Sequence, residues 1–156
     1  MPSTSTPWNP RRRLLARTAI GERVLLHCTA VGKAILAALA PEEVEGFIRR
    51  QGLVAFTEHT LTDPEALREE LSRVRELGFA VDRGEHEVGT YCVGAAIYTA
   101  TGRILGSCSV SGTDPDIIGV RLEELSARVM HVADEISRRM GYVPPRLSAV
   151  PEVLRR

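Results

Sequence analysis

The 156 residues are enough for one domain with tails, and a hydrophobic share of 44% excludes a chain that stays unfolded for want of a core. Twenty basic and twenty acidic residues cancel, so no global charge draws the chain to nucleic acid; the local candidate, Arg11-Arg12-Arg13 with Arg17, adjoins no helix-turn-helix or zinc-finger pattern and reads as a solvated tail. Cys28, Cys92 and Cys108 are odd in number and lack CxxC spacing, which argues against a disulfide framework or structural zinc. No apolar run reaches the roughly 18 to 20 residues that span a bilayer and the N-terminus is no secretory signal, so reduced thiols in the cytoplasm are expected.

Residues 1–18 are expected to be weakly ordered, because Pro2, Pro7 and Pro10 break helices and Ser and Thr fill the gaps. Arg11 to Ile20 gives only a weak strand signal. The domain is placed at 19–143, with a flexible tail over 144–156. A first helix is predicted from Ala30 to Leu39: it is alanine-rich, Thr29 can cap it and Pro41 stops it. A second runs from about Glu42 to Arg50, with Gly52 at its end. The third opens at Thr62-Asp63-Pro64-Glu65, read as a capping box of Thr62 with Glu65. Leu67, Leu71, Val74 and Leu77 then lay one apolar stripe along it, and Gly78 ends it.

Phe79 to Asp82 reads as a short strand, followed by a polar loop from Arg83 to Gly89. Cys92–Tyr98 and Arg103–Val110 form an antiparallel hairpin about Thr101-Gly102. Asp114-Pro115-Asp116 is read as the opening of a long last helix, with a stripe of Leu122, Leu125, Val129, Val132, Ile136 and Met140, closed by Gly141. There is no parallel βαβ alternation. The class is α+β, an antiparallel sheet flanked by helices.

Several side chains carry chemistry. The first turn of the first helix, Thr29 to Lys33, offers backbone N–H groups without intrahelical partners, which favour an anion or a carbonyl oxygen. Ala30, Val31 and Gly32 are small enough for a ligand to approach the backbone; tight helix–sheet packing would use the same residues. Ser107, Ser109 and Ser111 alternate, so they share a strand face, which on pattern alone is a solvent face. Asp82 reads as a turn residue or a pocket carboxylate, Cys92 as a small hydrophobe, Lys33 as a surface lysine, and His27 as a residue that caps or packs. The histidines have no metal-binding spacing, and no metal or cofactor is expected. No nucleophile elbow or triad motif supports an enzyme built on Cys28 or Cys92.

Gly21 to Ala40, with Leu26-His27-Cys28-Thr29-Ala30-Val31-Gly32-Lys33-Ala34 at its centre, resembles the signature of the effector-binding domain of IclR-type bacterial transcription regulators. Four further blocks follow in the family's order: Thr60-Leu61-Thr62-Asp63-Pro64, Gly78-Phe79-Ala80-Val81-Asp82, Glu87-Val88-Gly89 followed by Cys92, and Ser109-Val110-Ser111-Gly112. The last helix, ending Ile136-Ser137-Arg138-Arg139-Met140-Gly141, is also similar. The resemblance covers about four-fifths of the chain and implies a GAF/profilin-like sensing domain with no catalytic role. It implies a pocket between sheet and first helix, lined by Ala30, Val31, Asp82, Cys92, Ser109 and Ser111, that takes a small organic acid. It also implies a homo-oligomer that meets DNA only through a winged helix-turn-helix. Neither that element nor the domain's opening strands has a counterpart in these 156 residues, so the chain is expected to be a partial domain. The alternative is an interaction fragment that joins full-length regulators without binding a ligand.

Overall fold

The computed structural model describes residues 25–144. Arg11–Arg13, Arg17, the weak strand signal over 11–20 and the two tails, Pro144 apart, lie outside them. Three helices come first: α1 (Ala30–Ala38), α2 (Pro41–Gln51) and α3 (Pro64–Leu77). Three strands follow, β1 (Ala80–Arg83), β2 (Tyr91–Tyr98) and β3 (Ile104–Gly112). A short 3₁₀ turn, Pro115–Ile117, leads to α4 (Leu122–Arg139). The strands form one antiparallel sheet in the order β1-β2-β3. The α+β class expected from the order of elements is what forms. Among the described residues no helix is long and apolar enough to cross a membrane.

The sheet has two covered faces, because successive strand residues point to opposite sides. On one side α1 and α3 bury Ala34, Leu36, Ala37, Leu67, Leu71 and Val74 against Ala80. On the other, Val129 and Ala133 of α4 pack on Ala95 and Ile97, and Leu125 and Ile117 pack near Val93. Thr29 caps α1, its hydroxyl accepting from the Gly32 amide at 3.0 Å. Gly52 and Gly78 end α2 and α3 as expected.

Four details differ from the sequence reading. The cap of α3 is Asp63, whose Oδ2 accepts from the Ala66 amide at 2.9 Å, and not Thr62. Pro64 is already the first helical residue, and the residue before a proline is held extended, which makes Asp63 the boundary. Leu77 is 55% exposed, while Glu70 occupies a buried place on the same stripe. Asp114 caps the 3₁₀ turn and not the long helix, accepting from the Asp116 amide at 2.9 Å. Val132 of α4 and Met140, just past its end, are half exposed; the buried row is Leu125, Val129, Ala133 and Ser137. That row advances by four residues at each step, whereas the sequence reading had followed the larger side chains.

Candidate functional site

The chain before α1 folds back on the helix's first turn. A Cβ on Gly32 would lie 2.5 Å from the Leu26 Cα and 2.6 Å from the Leu25 carbonyl oxygen, so only glycine fits. The Thr29 hydroxyl donates to that carbonyl at 2.7 Å while accepting from Gly32. Lys33 N–H bonds the Thr29 carbonyl. Of the four leading amides of α1, those of Ala30 and Val31 therefore find no acceptor among the described residues. Such a pair, at the positive end of a helix, suits an incoming oxygen.

Gly94 sets these amides against the sheet. A Cβ there would stand 3.0 Å from the Ala30 carbonyl carbon and 3.2 Å from the Val31 nitrogen, so the helix start rests directly on β2. Ser107 ties the other edge, its hydroxyl donating to the Val31 carbonyl at 3.0 Å. Strand register then brings the remaining residues to the same face: Gly94 opposes Ser109, and Asp82, Cys92 and Ser111 form one cross-strand row. All six residues expected to line a pocket thus share one side of the sheet with the start of α1. Ala30 and Asp82 are buried, Val31 and Cys92 half-buried, and Ser109 and Ser111 exposed on β3. An apolar cleft bounded by His27, Phe47, Gln51, Val54 and Phe56 is a different place, beside α2.

The row is protic, and burial disfavours charge on it. Burial pushes the Asp82 carboxyl above its ordinary range; the Glu85 amide, donating to its Oδ1 at 2.8 Å, opposes this, and the Glu85 carboxylate adds to it. Burial also raises the Cys92 thiol, against the Ser111 hydroxyl, with Asp82 reinforcing the rise. The Cys28 thiol is pushed up to about 12, again chiefly by burial. Nucleophilic cysteines need the opposite shift. What the face offers is hydroxyls, a thiol, two helix amides and a carboxyl whose ionised form burial disfavours.

Behind this face the sequence reading missed a cluster. Lys33 is not a surface residue: it is fully buried, with Nζ donating to Glu70 at 3.0 Å, to both Glu85 carboxylate oxygens at 2.9 Å and to the Val81 carbonyl. It lies on the same side of α1 as Ala30 and Ala37, the side that packs inward, and the two carboxylates make that burial tolerable. Thr57 and Thr60 donate to the Gly84 and Glu85 carbonyls, latching the loop before α3 onto the same turn. The available signal was a pair of opposite charges, Lys33 and Glu70, each on an otherwise apolar helix stripe. His27 packs as expected, buried and with Nε2 donating to the Val54 carbonyl at 2.8 Å. Among the described residues no three His, Cys, Asp or Glu side chains are grouped to hold a metal.

The profile of the family described as "Bacterial transcriptional regulator IclR C-terminal" matches residues 8–138, most of the chain. The chain belongs to the IclR family. Its relatives include the HTH-type transcriptional repressor AllR of Escherichia coli K12, 38% identical over 78% of this chain and 45% of AllR. The Salmonella typhi AllR is 37% identical over 81% of this chain and 46% of its own. The chain thus spans less than half the length of these relatives. Among solved structures, the Thermotoga maritima IclR superposes with a TM-score of 0.77 at 35% identity, over 81% of this chain and 51% of that one. The inducer-binding domain of the PobR transcription factor from Acinetobacter, a double mutant in complex with 3-hydroxybenzoic acid, gives 0.65 at 25% identity, over 75% of this chain and 67% of that one. The AllR relatives are transcriptional repressors, not enzymes, which agrees with thiols shifted away from reactivity.

Proposed function

We propose that this IclR-type domain senses a small organic acid held between the start of α1 and the sheet. The observation that carries the reading is the close approach at Gly94, which sets two helix amides, without an acceptor among the described residues, over a strand face of hydroxyls, a thiol and a carboxyl. In this reading the ligand carboxylate accepts from the Ala30 and Val31 amides and from Ser109 and Ser111. Asp82 and Cys92 line the far wall, where Asp82 accepts from a ligand hydroxyl, orders a water or takes up a proton as the acid binds. The aromatic acid in the PobR structure supports the ligand class. Occupancy then biases how IclR domains associate, and reaches DNA in the cytoplasm only through a winged helix-turn-helix, a coupling of two sites through assembly.

A ligand that binds only the folded state raises the melting temperature, by about 2.7 kcal/mol of stability at a hundredfold excess over Kd. Thermal-shift measurements with 3-hydroxybenzoate and acetate should show such a rise. The double variant Ser109→Ala, Ser111→Ala should lose it. A rise that survives both substitutions places the pocket elsewhere.

One observation favours a second reading. Ser109, Val110 and Ser111 are exposed on β3, as suits a fragment that docks on other IclR chains without a ligand. Light scattering after size exclusion separates the two: assembly indifferent to added acids favours docking alone.

A further inference from the structure

Among the described residues Asp82 is the carboxyl on the candidate face, and what sets its geometry lies behind it. The polypeptide turns sharply after β1, and Gly84 and Glu85 are both buried in that turn. The turn delivers the Glu85 amide to Asp82 Oδ1 at 2.8 Å and lets the Glu85 carboxylate fold back onto the Arg83 amide at 3.0 Å. That carboxylate is gripped through both oxygens by Lys33, which at the same time holds the Val81 carbonyl, one residue before Asp82. Lys33 thus bonds the chain on either side of Asp82, and Thr57 and Thr60 close the turn from the opposite side.

We propose that Lys33 and Glu85 are a positioning pair for Asp82: they lock the turn so that one Asp82 oxygen is spent on the Glu85 amide and the other faces Cys92 and the ligand. Glu70 has a different part. Its carboxylate faces three cations, Lys33, Arg73 and Arg83; it reaches the turn only through the exposed Arg83 side chain at 3.6 Å and bonds neither Asp82 nor Glu85. The inference rests on the sensing role for its consequence but not for its geometry. A single residue of α1 is thereby joined to both walls of the site, since Ala30 and Val31 belong to the same helix.

The test uses the intact chain with Glu85→Gln and, as comparison, Glu70→Gln. Each removes one carboxylate from the same lysine, so a purely structural role would affect stability alike. The groups around Asp82 are Lys33 on α1, Cys28 just before it, Glu85 and His86 in the loop, and Cys92 on β2. An amide bonded to a carboxyl reports that carboxyl's titration. In wild type and Glu70→Gln, the residue 85 amide should therefore move with the Asp82 carboxyl carbon across an NMR pH series. In Glu85→Gln the two should separate. Binding of 3-hydroxybenzoate should weaken about tenfold in Glu85→Gln only, the scale of one hydrogen bond lost. If the residue 85 amide still follows Asp82 in Glu85→Gln, the positioning role is overturned, whatever binds. If the two separate but no acid binds even the wild type, the positioning role stands and the sensing role falls.

Discussion

Two glycines and a buried lysine decide the shape of the site, and none of the three announces itself by polarity. Gly94 is the sharpest case. Any side chain there meets the backbone of Ala30 and Val31, which cannot swing aside as a flexible side chain would. Gly94→Val should cost about 1–3 kcal/mol by overpacking and should displace α1 from β2. Gly106, where an added Cβ meets nothing within 4 Å, provides the comparison: Gly106→Ala should be neutral or slightly stabilising. Urea unfolding of both variants checks the pair, and equal costs would mean that the close approach at Gly94 is not what holds the helix. At this scale the sequence was only half legible. Family resemblance named six candidate residues that the strand register brings to one face, and strand alternation put Ser107, Ser109 and Ser111 on that face. Lys33 was misplaced because a charged residue is normally solvated. Its partners, Glu70 and Glu85, lie 37 and 52 positions away, beyond any local pattern.

Elements were more legible than their ends. Alternation and helical periodicity gave four helices and three strands in the right order, because each buries one face and must show that in its spacing. The ends depend on single hydrogen bonds, and there neighbouring polar residues compete. At α3 both Thr62 and Asp63 are capable caps; the proline at 64 selects Asp63 by restricting the residue before it. Asp63→Ala should therefore cost about 1 kcal/mol, while Thr62→Ala, at an exposed position, should change stability little. Chemical denaturation of the two variants decides between the caps, and a larger loss for Thr62→Ala would restore the capping box. The stripe of α4 misled for a related reason. Small residues such as Ala133 and Ser137 do the packing where helix and sheet come closest, with the Ser137 hydroxyl also accepting from the Tyr98 amide at 3.0 Å. A reading weighted toward large apolar side chains passes over them.

In the molecule as a whole, the two faces of the sheet differ in kind. The α4 side is an apolar seam, while the α1–α3 side buries Lys33, Glu70, Asp82 and Glu85 within its packing. Such a face must respond to pH, and its two shifted carboxyls respond with opposite signs. Burial alone would raise the Glu70 carboxyl, but Lys33, Arg83 and Arg73 outweigh it and hold it below the ordinary 4.5. A group whose folded value is lowered contributes stability that is complete above its unfolded value and disappears as pH falls through the folded one. Asp82 is raised, so its contribution is complete below its unfolded value and is lost as pH rises through the folded value. Stability should therefore drop as pH falls below the ordinary 4.5 toward the lowered folded value of Glu70, the buried carboxylate among those held low. Glu70→Gln should lower stability at neutral pH and flatten that acid limb, because no carboxyl at this position is left to take up a proton. Asp82→Asn should leave the acid limb driven by Glu70 in place and remove the decline that follows Asp82 ionisation at higher pH. Urea midpoints measured across the range separate the two. An acid limb unchanged in Glu70→Gln would mean that the buried lysine does not depend on that carboxylate. The charge balance behind the candidate site would then have to come from Glu85 alone.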